Sequence, residues 1–553
     1  VTPGEALARI GEALTGLGFT PGQGEAPGFI GAVDVGGRPV RISVCFPCLR
    51  FSRLPRVRLT HRSEDAPDAL AHVETGENLC YATQGSLVLD HHRPAESALA
   101  VLREVVNTLE RSLSAGASRE VAAEFPQHWR AGADVHVALR PDAPGGMASL
   151  LTVPRLGALP LSVLTRQLDN GGFEGGAMGR LRGAETGRAC LVRVPGELSL
   201  TTGGPPTTFA AFLDWAEGQD PALRARLLDA ASQRFFDEDV CLFVAGANGC
   251  VGVRLRLSVL WQRCVRTKGF WAARLRDGAA KIGVERLRGQ RMDAEHARTR
   301  NLAGRATLAG RLVVLVGCGA IGAQLARYLA QSGAGSGGGR LVLVDTDVLS
   351  TGNLGRHWLG AEHVGDGKAA AVEAELKRLS PGIAVQAVPD DAMAKLDLLC
   401  RADLLVDATG EEPLSRALNH EVQVRRPGGP AMIFAWLLGQ GAAAQALCVS
   451  ASRDGRGCYA CARPFGERPG ALRNGADALP VPAACGDAEF MPYGVAAPAV
   501  AAGLGAAMAL EWAAGEVRPS FRTVRLDHAS TLDDPDRDVA AVPGCPDCGG
   551  GPA

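Results

Sequence analysis

The sequence has almost no net charge: 58 Lys and Arg stand against 59 Asp and Glu. That leaves no basic excess for a nucleic-acid backbone and none for an acidic membrane surface, so neither partner is expected. It also lacks a continuous run of about 18 or more apolar residues, the length a bilayer-crossing helix needs. The first residues, Val1 to Thr20, carry scattered charges and no unbroken apolar stretch, unlike a secretory signal. No internal repeat is visible. What is present is a chain of 553 residues, 46 % hydrophobic. That is enough for about three to four domains with ordinary cores, and the expected setting is the cytoplasm.

Fifteen cysteines are spread through this length. The number is odd, and the spacing is too open for the dense disulfide framework of a small secreted protein. Metal binding or thiol chemistry is the better expectation.

Along the chain, Glu5–Leu17 reads as a helix and Phe29–Val35, Val40–Phe46 and Arg56–Thr60 as strands. Ala95–Leu113 follows with apolar residues at helical spacing. Pro141–Gly146 is turn-rich. Residues 135–290 read as a mixed α/β segment without a chemical motif. Its strands are Val135–Leu139, Cys190–Val194, Cys241–Val244 and Val251–Leu257, and its helix Phe209–Ala230 is broken near Asp220 and Pro221. From about Arg291 the pattern changes. Leu312–Val316 is a continuous apolar strand, Ile321–Gln331 a helix, and Arg340–Val344 a second strand ending at Asp345. Ser332–Gly339 closes the crossover, giving a β-α-β unit that opens a doubly wound sheet.

Between that first strand and helix lies Gly317-Cys318-Gly319-Ala320-Ile321-Gly322, a G-x-G-x-x-G run in the context the motif needs. Glycines let the backbone approach phosphates, and the helix N-terminus offers unpaired N–H groups. Asp345 is placed to accept from a ribose hydroxyl. Alone, this set specifies a nucleotide and would fit a dinucleotide oxidoreductase.

The residues that follow point elsewhere. Asp345-Thr346-Asp347 leads to Asn353-Leu354-Gly355-Arg356 and then to Gly365-Asp366-Gly367-Lys368. This ordered set resembles the HesA/MoeB/ThiF superfamily, which includes the ubiquitin-activating enzymes. The resemblance implies an ATP site in which Asp345 holds the ribose and Asn353, Arg356 and Lys368 hold the phosphates, with Mg2+ as a further cofactor. Cations gathered on a triphosphate stabilise charge developing as pyrophosphate leaves, a task hydride transfer does not pose. In the same superfamily an Arg upstream of the first strand reaches the ATP site of a partner subunit. Arg300, in Arg298-Thr299-Arg300-Asn301, occupies that place, and a homodimer is implied. The family's Asp-x-Thr-Asp run is here Asp407-Ala408-Thr409-Gly410, without the second acid. Asp407, Glu411 and Glu412 are the carboxylates left for the metal.

Cys458-x-x-Cys461 and Cys545-x-x-Cys548 are two knuckles that together make a four-thiolate Zn2+ site, as the superfamily also carries. Between them stands Cys485, ahead of a small-residue helix at Ala496–Trp512. By the resemblance, Cys485 takes the acyl group from the adenylate as a thioester, its thiolate favoured near a helix N-terminus. Cys318, Cys400 and Cys448 read as packing residues.

In the N-terminal segment, Phe46-Pro47, Pro55-Arg56-Val57, His72, Gly76, Cys80-Tyr81 and Glu124-Phe125 before Trp129 resemble the landmarks of the ubiquitin-conjugating fold. Cys80 would be its catalytic cysteine. The fold's usual His-Pro-Asn is not kept: His72 precedes Val73, and either Asn78, His91 or His92 serves for the Asn or the acceptor site is built differently. Cys45 and Cys48 read as packing.

The whole resembles bacterial fusions of a conjugating-like with an activating-like domain, as in CBASS anti-phage operons. The fold class expected is α/β: a conjugating-like domain at 1–134, a linker or docking domain at 135–290, and a doubly wound adenylation domain with zinc at 291–553. The resemblance implies that a partner's C-terminal carboxylate, that of a cGAS/DncV-like nucleotidyltransferase or a ubiquitin-like protein, is adenylated. It then passes from Cys485 to Cys80 and finally to a target amine. Three alternatives stay open: a sulfur-carrier adenylyltransferase, an N-terminal domain that only binds partners, and a nucleotide-dependent oxidoreductase.

Overall fold

The computed structural model describes the chain except residues 25, 62–69, 74–76, 84, 115–120, 123, 130–132, 141, 156–157, 168–172, 175–179, 182–183, 201–203, 238, 258–269, 303, 381, 426–428, 440, 452–454, 465–492, 529–533 and 550–553. It divides into two compact units, 1–176 with 180–293, and 177–179 with 294–553.

The first unit opens on helix α1 (Pro3–Thr15). Thr2 caps it: the Thr2 hydroxyl accepts from the Glu5 N–H while the Glu5 carboxylate accepts from the Thr2 N–H, a reciprocal box readable in Thr2-Pro3-Gly4-Glu5. Four antiparallel strands follow in meander order, β1 (Thr20–Gly22), β2 (Gly28–Val35), β3 (Arg38–Cys45) and β4 (Arg56–Leu59). Helix α2 (Pro94–Ser112) lays Ala98, Val101, Leu102, Val105 and Leu109 into one core with Ile42, Val44, Val57 and Leu59 of the sheet. The i, i+3, i+4 spacing of that face is what the sequence carried.

Helix α3 (Phe125–His128) leads out of this layer, and its aromatic residues belong to the next. Phe125 and Trp129 are fully buried in a second core, where Trp129 lies 4.6 Å from the Trp215 ring and its indole N–H donates to the Gly252 carbonyl at 3.0 Å. That core covers one side of a closed barrel. Its strands are β5 (Asp134–Val137), β6 (Gly146–Arg155), β7 (Ala158–Thr165), β10 (Ala184–Arg193), β11 (Asp239–Gly246), β12 (Gly249–Arg256) and β13 (Val284–Arg291). A short ribbon, β8 (Phe173–Glu174) with β9 (Arg180–Leu181), stands apart. Helices α4 (Phe209–Gln219), α5 (Leu223–Gln233) and α6 (Trp271–Gly278) pack outside, and the break at Asp220 falls where the sequence marked it.

The sequence expectation of a mixed α/β segment is thus refined to a barrel. Strands β6 and β7 escaped notice because their ends are exposed and their alternation is weak. Closure removes the open edges that such strands would otherwise present.

The second unit begins with α7 (Ala294–Thr299) and the 3-10 turn Arg300–Leu302. Its sheet runs in the order β16 (Val385–Val388), β15 (Arg340–Val344), β14 (Leu312–Val316), β17 (Leu404–Asp407), β18 (Ala431–Leu438), β19 (Ala443–Val449), β20 (Phe521–Arg525). The first five strands are parallel; β19 pairs antiparallel with β18 and β20 antiparallel with β19. Helices α8 (Ala320–Gln331), α9 (Lys368–Leu379), α10 (Leu396–Leu399), α11 (Glu412–Arg425), α12 (Tyr459–Ala462) and α13 (Ala496–Ala513) complete the unit. Strands buried on both faces explain the continuous apolar runs of β14 and β15. Among the described residues α13 is the one helix of a length and hydropathy that could cross a membrane. Here its Ala501, Ala502, Ala506, Met508 and Ala509 are buried in the core with α8, β18 and β19. The doubly wound fold expected of the C-terminal half is the one found.

Candidate active site

The winding order of the parallel strands reverses beside β14, where β15 lies on one side and β17 on the other, and in such sheets ligands bind in the crevice beyond the strand ends. The Gly-rich turn enters this crevice. Gly317 has φ +85°, and a Cβ there would come within 2.9 Å of Thr409. At Gly322 a Cβ would lie 1.8 Å from the Gly317 carbonyl oxygen, so only glycine lets α8 start this close to the turn. Gly319 caps α8 without a side-chain bond, leaving the first N–H groups of the helix open to an anion.

The turn is clamped from two sides. Cys318 N–H donates to Asp345 Oδ2 at 2.5 Å, and the other oxygen of Asp345 accepts from Asp347 N–H at 2.7 Å. On the carbonyl side, His357 Nε2 lies 2.7 Å from Cys318 O. His357 Nδ1 accepts from Leu359 N–H at 3.1 Å, so Nε2 carries the proton. Burial lowers the His357 pKa, holding the ring neutral. Sequence reading missed His357; its only signal was its place after Arg356.

A cavity of about 570 Å3 opens over the turn, and Gly317, Gly319, Asp345, Asn353, Arg356 and Lys368 all line it. Lys368 starts α9 and is buried, its ammonium 2.7 Å from Asp347 Oδ2. Asn353 Oδ1 accepts from Ser350 N–H and hydroxyl at 3.0 and 3.1 Å. The Arg356 guanidinium stacks 5.4 Å over the ring of Tyr493, which also faces the cavity.

Gly322, Asp407, Arg300 and Glu412, all named from the sequence, are not on this wall. Gly322 acts from behind, through packing. Asp407 ends β17 fully buried; its carboxylate accepts from the Thr409 N–H at 3.0 Å, the Thr409 hydroxyl at 2.7 Å and the Ser415 hydroxyl. Burial raises its pKa. Asp407 therefore shapes the loop before α11 and does not face the crevice. Asp390 and Asp391, beyond β16, do face it and were not singled out from the sequence; no motif marks them. Arg300 is exposed in its 3-10 turn and is not on the wall.

The four knuckle cysteines converge. Cys458 precedes α12 as its N-cap, Cys461 lies within it, and Cys545 and Cys548 come from the C-terminal segment. Their sulfurs stand 4.0 Å (Cys458–Cys461), 3.7 Å (Cys458–Cys545) and 3.6 Å (Cys461–Cys548) apart. A tetrahedron of thiolates with Zn–S bonds near 2.3 Å has edges of about 3.8 Å, so the set fits a closed structural zinc. Cys461 also accepts from Val542 N–H at 3.3 Å. Asp547, inside the second knuckle, accepts from Asn419 Nδ2 at 2.6 Å and lies 2.9 Å from His420 Nδ1, both on α11. The metal site and the rim of the crevice thus share one helix. Cys485 lies outside the described residues.

In the first unit Cys80 is exposed. Its N–H donates to the His72 carbonyl at 2.7 Å, and the preceding Leu79 N–H to Val57 at 2.8 Å, which seats the loop on β4. His72 has φ +62° and is pinned by Glu124, whose carboxylate accepts from His72 N–H at 2.8 Å and lies 2.9 Å from Nδ1. The Tyr81 hydroxyl donates to Pro55 O at 2.8 Å, joining two of the sequence landmarks. Asn78 bridges to Arg58, and His91 and His92 are exposed in the turn before α2. Gly76 lies outside the described residues. Cys48 is half-buried rather than packed away, with the Ser52 hydroxyl 3.0 Å from its sulfur holding its thiol at about 7.

Comparison with known proteins gives two family matches that split the chain. Residues 296–541 match the ThiF family, and residues 4–138 match prokaryotic E2 family B. The ATP-dependent ubiquitin transferase-like protein Cap2 of Pseudomonas aeruginosa is 30 % identical over 561 residues, covering 98 % of this chain and 99 % of that protein. Cap2 of Vibrio cholerae is 25 % identical over 422 residues, 71 % of each. The molybdopterin-synthase adenylyltransferase of Escherichia coli is 30 % identical over 256 residues, 44 % of this chain and 90 % of that protein.

Proposed function

Given that the chain belongs to the family of Cap2-type ATP-dependent ubiquitin transferase-like enzymes, fusions of a prokaryotic E2 domain with a ThiF domain, we propose that it joins a partner's C-terminal carboxylate to a target amine through two thioesters. The observation that carries the reading is the convergence of Gly317, Gly319, Asp345, Asn353, Arg356 and Lys368 on one cavity in the ThiF unit.

ATP lies with its phosphates over the open N–H groups of α8 and its ribose toward Asp345. The partner's carboxylate oxygen attacks the α-phosphorus, the bond to the β-phosphate oxygen breaks, and pyrophosphate leaves with its charge met by Lys368 and Arg356. Lys368 is already desolvated and aimed by Asp347, so little reorganisation is needed. The Cys485 thiolate then attacks the acyl carbon and AMP leaves. Cys80 takes the acyl group in turn, releasing Cys485. A target amine attacks last, losing a proton and expelling the Cys80 thiolate. Splitting the transfer replaces one hard step with several easier ones.

A bound Mg2+ would neutralise phosphate charge. The carboxylate that meets it is Glu411. Every other acid on the described wall is engaged: Asp345 by backbone N–H groups, Asp347 by Lys368, Asp390 by Lys395 at 2.7 Å, and Asp391 by Met393 N–H at 2.8 Å. Glu411 makes no side-chain bond among the described residues and follows Gly410, where the second acid of the family run is missing. Glu412 is held by Arg416 and is off the wall. Nucleotide binding by Glu411→Ala, measured by calorimetry, should need several-fold more Mg2+ while Mg2+-free binding is unchanged. Equal Mg2+ dependence in the two proteins excludes Glu411.

In this reading residues 1–134 are the conjugating-like domain, 135–290 a docking domain or spacer, and 291–553 the adenylation domain. The zinc thiolates of Cys458, Cys461, Cys545 and Cys548 staple the C-terminal segment. The enzyme acts as a homodimer in which Arg300 reaches the ATP of the partner subunit. The activated partner is a cGAS/DncV-like nucleotidyltransferase, in anti-phage defence, and a cytoplasmic setting suits a relay of reduced thiols. The sulfur-carrier alternative is supported by likenesses that cover less than half of the chain, such as that to the molybdopterin-synthase adenylyltransferase, which spans 44 % of it.

ATP–pyrophosphate exchange tests the adenylation step. Exchange should require a partner with a free C-terminal carboxylate and fall at least about a hundredfold in Lys368→Ala. Exchange that proceeds equally with the C-terminus amidated contradicts the reading.

A further inference from the structure

The barrel of the first unit has an opening that the adenylation and transfer chemistry does not use. It is a cavity of about 230 Å3 lined by Val137, Leu139, Leu191, Arg193, Cys250 and Arg291 among others. Two guanidiniums face it, and they are not equivalent. Arg291, the last residue of β13, is neutralised by the buried Asp293 through two bonds of 2.8 and 3.1 Å. Arg193, the last residue of β10, has no carboxylate within ion-pair distance among the described residues. Its Nη2 donates to the Arg140 carbonyl at 2.8 Å, and its Nε is buried with no hydrogen-bond partner among the described residues.

Among the described residues the surroundings supply no counter-ion. Asp142, the acid whose field reaches Arg193, is paired with Arg140 at 3.5 Å, and Arg166 adds further positive field. Burial pushes the Cys250 thiol up to about 12, so it stays neutral. Burial also lowers the Arg193 pKa, but a guanidinium keeps its proton in proteins. A half-buried cation with a buried, unmet donor is costly unless something pairs with it. The space before it is apolar along Val137, Leu139 and Leu191, and is smaller than the roughly 300 Å3 at which drug-sized ligand sites begin.

We propose that this opening binds a carboxylate carried on a small apolar group, with Arg193 as its counter-ion and Val137, Leu139 and Leu191 around the apolar part. The planar guanidinium suits a carboxylate, which can accept from Nε and from a neighbouring Nη. Two sources offer that chemistry, the last residue of a polypeptide and a short free carboxylic acid. The opening belongs to the first unit, and the proposal does not depend on the adenylation reading.

Calorimetry on the full chain with N-acetyl-leucine, N-acetyl-leucinamide and an acetylated peptide ending in leucine tests it. The acid should bind at least about tenfold more tightly than the amide. Arg193→Gln should lose at least about tenfold of the acid's affinity, whereas Arg256→Gln, at an exposed arginine, should lose none. Lys368→Ala should bind the acid as the wild type does, which separates this site from the nucleotide cavity. A peptide that binds more tightly than N-acetyl-leucine assigns the site to a polypeptide end, and equal binding assigns it to a free acid. Acid and amide binding alike, no binding of the acid at 10 mM (about a hundredfold above a ~0.1 mM site), or full affinity in Arg193→Gln overturns the proposal. If Arg193→Gln does not fold, Arg193→Lys and the acid–amide comparison on the wild type decide it.

Discussion

His357 Nε2 donates to the carbonyl of Cys318 across 2.7 Å, while Asp345 holds the N–H of the same residue. The Gly-rich turn is therefore fixed by side chains on two other segments, one of which carries Arg356. Glutamine could reproduce both bonds of this imidazole, whereas alanine removes them. His357→Gln should bind ATP within about threefold of wild type, and His357→Ala at least about tenfold more weakly, a cost in line with leaving a buried carbonyl and a buried N–H unmet. Calorimetric ATP titrations check both.

The same ring sets a pH dependence. Its folded pKa is lowered from the ordinary 6.5 by burial, so below that pH the unfolded chain takes up a proton that the folded one refuses. Stability is then lost as pH falls through about 6.5 and levels off below the folded pKa. Thermal unfolding of the adenylation unit followed from pH 7.5 to 5.5 should show this slope, and His357→Gln should lack that contribution.

Gly322→Ala would place a methyl 1.8 Å from the Gly317 carbonyl oxygen, which no side-chain movement can relieve. The turn must shift, at a cost of about 2 kcal/mol or more. ATP binding should fall below detection with a lowered melting temperature. Wild-type affinity in this variant would mean that the turn does not hold the phosphates.

Cys545→Ser should remove one equivalent of zinc per chain as measured by metal analysis, and destabilise the C-terminal segment. Metal binding by such a set is coupled to folding. Because Asp547 ties the same segment to Asn419 and His420 on α11, limited proteolysis should cut the C-terminal segment first in the variant.

Glu124 pins His72 through two contacts, and the His72 carbonyl receives the Cys80 N–H. Glu124→Ala should slow arrival of the acyl group at Cys80 by about tenfold, and Glu124→Gln, which keeps both contacts, much less. The first thioester should form at the wild-type rate in each. Single-turnover transfer kinetics separate the two steps.

How much of this was legible follows from distance along the chain. The Gly317–Gly322 turn and the helical face of α2 are local patterns, and each stands where its spacing implied. The zinc set was legible because two C-x-x-C knuckles carry their own geometry, although 87 residues separate partners such as Cys458 and Cys545. His357 and Asp390 were not, and Glu124 was a landmark without its partner His72, because each gains its role from a residue 39 or more positions away or from a wall assembled by several strands. Asp407 carries a motif position yet faces inward, since Thr409 and Ser415 satisfy its carboxylate. The barrel escaped because closure is a property of seven strands together.

The most direct test of the relay is a non-reducing gel of the wild type, Cys485→Ala and Cys80→Ala after incubation with ATP and a partner bearing a free C-terminus. The account predicts a thiol-sensitive adduct that is absent in Cys485→Ala and stalled on the first cysteine in Cys80→Ala. Pyrophosphate exchange with no thiol-sensitive adduct on either cysteine would contradict it and leave an adenylyltransferase alone.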